Sequence, residues 1–201
     1  MEASLMKTSL QSLWMMWENV FSYITKFRSE SVWQYGICKL VVRQHHGKSI
    51  ICQGGYRIVN GDWVGELHLD NQQVLELVRE FGSDRAGLKT ARMLRSALKQ
   101  ISRELDSNPE LLKVQALVGI TLLHRGIIHG IGFEQHPIES TGLRRFYKMY
   151  LCLLLRVLHP EGKERVQQSA EKLSPMMLVI SKQSLEERFA RRKHVVEIKI
   201  S

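Results

Sequence analysis

Apolar residues recur at steps of three and four through residues 9–28. Leu10, Leu13, Trp14, Trp17, Val20, Phe21, Ile24 and Phe27 form one stripe, which predicts an amphipathic helix. The pattern then becomes a β-type run from Gly36 to Gln44, closed by the turn signal His45-His46-Gly47-Lys48. Ser49 to Gln53 is expected to pair back on that run as a hairpin. Gly54-Gly55 and Asn60-Gly61-Asp62 mark further turns. Trp63 to Leu69 reads as a short strand. Asp70 or Asn71 can cap the next helix, which turns Val74, Leu75, Leu77, Val78 and Phe81 inward. Gly82-Ser83 breaks it. A longer helix is expected over about 84–105, with Ala91, Leu94, Leu98, Ile101 and Leu105 on one side.

In the second half, Asn108-Pro109-Glu110 has the cap, proline and acid of a helix start. That helix must be short, because Val114 to Val118 reads as a buried strand. Thr121 is placed to cap another short helix reaching about Gly130, and Ile131 to Glu134 forms a brief strand ending near Pro137. Ser140 or Thr141 caps an apolar helix over 142–158, expected at the centre of the molecule. A polar helix over 163–172, a strand from Met176 to Ile180, a helix capped by Ser181 or Ser184 and ending near Arg192, and an edge strand from Val195 to Ile200 complete the chain.

Strands alternating with helices predict an α/β fold, with mixed α+β as the alternative: one central mixed sheet covered by helices on at least one face. The organisation expected is an N-terminal amphipathic helix over 1–30 and a single α/β domain over 31–201.

Composition narrows this picture. With 201 residues and 44% hydrophobic content, the chain can bury a sizeable core. The net charge of +9 favours anionic partners: a phosphorylated or carboxylated ligand, an acidic membrane surface, or nucleic acid, which ranks last. Cys38, Cys52 and Cys152 are odd in number, lack a CxxC spacing and sit in apolar runs, as thiols in a reducing compartment do. No secretory signal is evident and no run approaches the roughly 18 apolar residues of a spanning helix. A cytoplasmic protein, able to sit at a membrane surface, is expected.

The most compact gathering of titratable groups is Gly61-Asp62-Trp63-Val64-Gly65-Glu66-Leu67-His68-Leu69-Asp70-Asn71. Side chains two apart on a strand share a face, so Glu66 and His68 point the same way. In one reading His68 is a general acid or base oriented by Glu66 or Asp62, in a cleft completed by Asn71. In the plainer reading both face solvent, while Asp62 and Asn71 serve only turns and caps. Glu134 at a strand end, with Ser181 and Lys182 at a helix start, are candidate additions to the ligand site. Ser181 has the plainer alternative of an N-cap.

A second candidate is a ridge. Arg85, Lys89, Arg92, Lys99 and Arg103 fall in one arc of the helix over 84–105, which suits anion binding or, more plainly, a solvated face. Other machineries fail on spacing. Gly47-Lys48-Ser49 lacks the first glycine of a phosphate-binding loop, since Val42 stands there. Gly130-Ile131-Gly132 meets Gln135 where a dinucleotide fingerprint needs glycine. His124 and His129 are not in HExxH spacing, so no metal and no cofactor are expected.

Five segments together resemble the YkoP-like domain family of bacteria. They are Gly61-Asp62-x-Val64-x-Glu66-Leu67-His68-x-x-Asn71, Ala116-Leu117-Val118-Gly119-Ile120-Thr121-x-Leu123, Gly132-Phe133-Glu134, His159-Pro160-x-Gly162 and Ile180-Ser181-Lys182-x-x-Leu185. The resemblance spans about residues 30–190. Some relatives of this kind are fused to polysaccharide deacetylase domains, which implies a link to cell-envelope carbohydrate and so a carbohydrate-type or anionic ligand. It supplies no catalytic residue. The alternative is a non-catalytic adaptor that docks on a membrane or a protein through the aromatic first helix and the basic ridge.

Overall fold

The computed structural model describes residues 31–121, 130–158 and 174–197. A tight hairpin opens it. Strand β1, Ser31–Tyr35, pairs antiparallel with β2, Cys38–Gln44. Only Gly36 and Ile37 separate them, and Gly36 takes the left-handed conformation that so short a connection needs, with φ at +52°. The sequence reads Gly36 to Gln44 as one run; the glycine instead reverses the chain. β2 then lies between β1 and β5, Trp63–Leu69, so both of its edges are occupied. This is why 49–53 does not pair back on it. β3, Ile50–Ile51, and β4, Arg57–Ile58, form a separate two-stranded ribbon instead.

Helix α1, Asn71–Ser107, follows β5 directly and bends at Gly82, whose φ of 72° and ψ of 165° are non-helical. Asp70 is its cap: the Asp70 side chain accepts from the N–H groups of Gln72 and Gln73. At the other end the Asn108 N–H donates to the Glu104 carbonyl and closes α1. The short helix expected from Asn108-Pro109-Glu110 is therefore a single turn, in which Leu111 and Leu112 N–H both donate to the Asn108 carbonyl.

The remaining elements are β6, Ala116–Thr121; β7, Glu134–Pro137; helix α2, Thr141–Leu158; β8, Met176–Ser181; and helix α3, Lys182–Glu197. The main sheet has six strands in the order β1-β2-β5-β6-β8-β7. The β5–β6 pair is parallel and every other pair antiparallel. The fold is thus mixed α/β.

Two helices differ from expectation. No proline or glycine interrupts residues 181–197, so α3 runs on past Arg192 to Glu197 and takes in Val195 and Val196, the start of the expected terminal strand. The α2 helix is not central: Leu143, Phe146 and Met149 are exposed. The middle of the sheet is already covered on both sides, which leaves α2 peripheral. The helices expected over 9–28, after Thr121 and over 163–172 lie outside the described residues.

On one face of the sheet, Leu94, Leu98, Ile101 and Leu105 of α1 and Leu185 of α3 pack against Leu40, Val42, Leu117 and Ile180. Gly65 lies between Leu40 and Leu117; a Cβ there would stand 2.6 Å from Leu40 Cδ1 and 2.9 Å from Leu117 Cδ2. On the other face the ribbon sets Ile50, Cys52 and Ile58 over Val64, Ala116, Val118 and Val179.

Candidate functional site

Glu66 and His68 project from the ribbon face of β5, since Trp63, Gly65 and Leu67 turn to the helix-covered core. That face is not bulk solvent at this point. His68 Nε2 is enclosed, has no hydrogen-bond partner, and lies 3.4 Å from Glu66 Oε1. Glu66 is also paired with the Arg43 guanidinium of the neighbouring strand. Burial holds the His68 pKa below the usual histidine range; Glu66 opposes this, while Arg43 and Lys39 add to it. Tyr147 of α2 is close enough to feel both Glu66 and Arg43, and burial raises its hydroxyl pKa.

Register reveals a second pair that the sequence alone does not connect to the first. Glu66 is level with Val118, Val118 with Val179, and Val179 with Glu134. Glu134 and His136 therefore repeat the acid–imidazole arrangement on the same face, three strands away or about 14 Å. Their side chains approach to 3.3 Å. Glu134 Oε2 also accepts the Gln53 N–H, so this carboxylate ties the ribbon to the sheet. Cys52 lies under the ribbon; burial, then the Glu134 charge, pushes its thiol up to about 11. Burial lifts Cys38 to about 12, and neither is an activated nucleophile.

The other sequence candidates fall elsewhere. Asp62 is six residues before His68, about 20 Å along an extended strand, and its Oδ2 accepts the Val59 N–H of its own turn. Asn71 opens α1 beside the true cap, Asp70. Ser181 Oγ accepts the Ser184 N–H, as an N-cap does, and donates to Ser184 Oγ. Lys182 leaves the sheet at the Ala116 end, because β8 runs antiparallel to β6. Its Nζ donates to the Leu105 carbonyl at 2.7 Å and lies 3.2 Å from Asp106 Oδ1.

That position puts Lys182 beside a cavity of about 470 Å³ between α1 and α3. Arg92, Arg95, Lys99 and Arg103 of α1 line it, together with Arg188 of α3. Three of the five ridge residues thus border a concavity. Arg85 and Lys89 lie nearer the bend; Lys89 Nζ sits 3.1 Å above the Phe81 ring. Arg95 flanks the arc and was open to detection from helical spacing. Arg188 was not, since only the packing of α3 on α1 brings it in. Arg188 is anchored by two donations to the Gly130 carbonyl, and it lies against Gly132, where a side chain would collide with its guanidinium.

Asp106 and Glu186 are the acids of the lining. Burial raises the Glu186 pKa first, then its hydrogen bond to Asp106 and the Asp106 charge; Lys182 opposes them. No described carboxylate side chain lies within ion-pair reach of Arg92, Arg95, Lys99 or Arg103.

Among the described residues, no three His, Cys, Asp or Glu side chains gather as a metal-binding set, and no helix is long and apolar enough to cross a membrane. No curated protein and no solved structure matches the chain. The model of the YkoP domain matches residues 7–189, most of the chain and both faces of the sheet just described, and so the protein belongs to the YkoP domain family.

Proposed function

We propose that the protein binds a compact anionic ligand in the groove between α1 and α3. One observation carries this reading: five cationic side chains from two helices surround one cavity of about 470 Å³. Like charges converging on a concave surface raise the local potential, and guanidinium groups match phosphate and carboxylate geometry. The family resemblance adds an envelope-linked source for the ligand as part of the same proposal.

Calorimetric titration of the full chain with pyrophosphate tests it. Binding should weaken steeply with added salt, and Arg95→Glu with Lys99→Glu should lower affinity by at least about tenfold, as expected for charge-assisted contacts. Binding that is absent, or that the double substitution leaves intact, rules the groove out.

A second reading rests on α2. Leu143, Phe146 and Met149 are exposed at three-residue steps, and Arg144, Arg145 and Lys148 occupy the neighbouring arc. An exposed apolar stripe bordered by cations suits peripheral docking on an anionic membrane. Cosedimentation with phosphatidylserine vesicles should then fall on Phe146→Asp with Met149→Asp and persist in the groove variant. The opposite pattern would remove α2 from consideration.

A further inference from the structure

The groove is two-signed along its length. Arg92, Arg95, Lys99 and Arg103 make the α1 wall cationic over about three helical turns, about 16 Å. Asp106 follows one helical turn later, and Glu186 meets it from α3. A ligand carrying only negative charge would gain nothing from that end and would be repelled by it. Some other chemistry must suit the two carboxyl groups.

We infer that the groove takes a small zwitterion, a phosphate- or carboxylate-bearing molecule that also carries an ammonium group, with its anionic end among Arg95, Lys99 and Arg103 and its ammonium on the Asp106–Glu186 pair. This rests on the anion-binding reading of the groove and specifies its ligand.

Lys182 satisfies the acid pair only in part. Its single ammonium already donates to the Leu105 carbonyl and sits 3.2 Å from Asp106 but 4.0 Å from Glu186. That ammonium stands nearer Asp106 than Glu186, which leaves the Glu186 carboxylate at the groove wall open to a second cation. A ligand ammonium at that end would supply it. Asp106 acts on Glu186 from α1, and Lys182 and Glu187 from its own helix, while Arg103 and Arg188 line the same cavity. Phe189 supplies an apolar surface for the carbon linker between the two charged ends. A cavity of this size suits a small molecule.

The test compares 3-aminopropyl phosphate with propyl phosphate, which lacks the ammonium. Calorimetric titrations use the full chain. The amine should bind about tenfold tighter than the alkyl phosphate, as a new charge-assisted contact would give. Asp106→Asn with Glu186→Gln should abolish that advantage, while propyl phosphate still binds. Equal affinity for both phosphates in the unaltered protein overturns the zwitterion and leaves the anion site standing. Failure of both to bind overturns the two together. Phosphatidylethanolamine vesicles separate the sources of this chemistry. Capture on them that the acid-pair variant loses assigns a lipid headgroup, and binding of the soluble amine alone assigns a free metabolite; either result supports the inference.

Discussion

On one face of the six-stranded sheet, charge stands outside the core; on the other, half-buried charge borders it. The helix-covered face is apolar against the strands, and its cations, Arg92, Arg95, Lys99 and Arg103, project outward from α1 into an open groove. The ribbon face interrupts its apolar packing with Arg43, Glu66, His68, Glu134 and His136. Solvated charges are cheap to place and easy to remove, so selection for binding can act on them freely. Half-buried charges gain by pairing, and here Arg43 pairs with Glu66 across two strands while Glu134 meets His136 and ties the ribbon to the sheet. The lesson is that the sequence's most compact polar cluster need not be the surface open to a ligand.

Substitutions can break that contrast at several depths. Leu98→Ala should have the largest effect, about 2–5 kcal/mol of lost stability in chemical denaturation, because Leu98 is fully buried under α1. Gly65→Ala should cost about 1–3 kcal/mol, since the new methyl forces Leu40 and Leu117 apart. Glu66→Gln should follow at about 1–2 kcal/mol, by depriving Arg43 of its ionic partner; a change within error would mean the ribbon face does not depend on its pairs.

A pH titration of stability examines the same face more finely. His68 titrates below its unfolded-state range, so the native protein binds fewer protons than the unfolded chain in that window. Stability contributed by neutral His68 is present above the ordinary histidine pKa and is lost as pH falls from there through the lower native-state value. His68→Gln should flatten that part of the curve. Smallest of all, Arg95→Ala should move stability by less than about 0.5 kcal/mol, because it is exposed, while weakening pyrophosphate binding in the groove. A marked loss of stability there would erase the distinction between the faces.

Local physics made much of this fold legible. The cap at Asp70, the break at Gly82 and the apolar spacing of Leu94, Leu98, Ile101 and Leu105 foretold α1 and its inward side. The two-residue period of β5 placed Glu66 and His68 together. What covers that face was not legible, because the β3–β4 ribbon and Tyr147 arrive through contacts distant in sequence. The same reason hid the link between Glu66 and Glu134, which exists only through strand order. Lys182 looked like a companion of Glu134; the antiparallel course of β8 carries it instead to the end of α1. On the groove, helical periodicity found Arg92, Lys99 and Arg103 but had no access to Glu186 and Arg188 on a partner helix.

Gly132 gives that wall a remote adjustment. Its backbone has φ at +99°, and the space where its side chain would stand is filled by the Arg188 guanidinium. A single methyl introduced there would tilt the arginine off the Gly130 carbonyl and out of register with the four cations opposite. One loop position, on neither helix, can therefore reshape the groove wall.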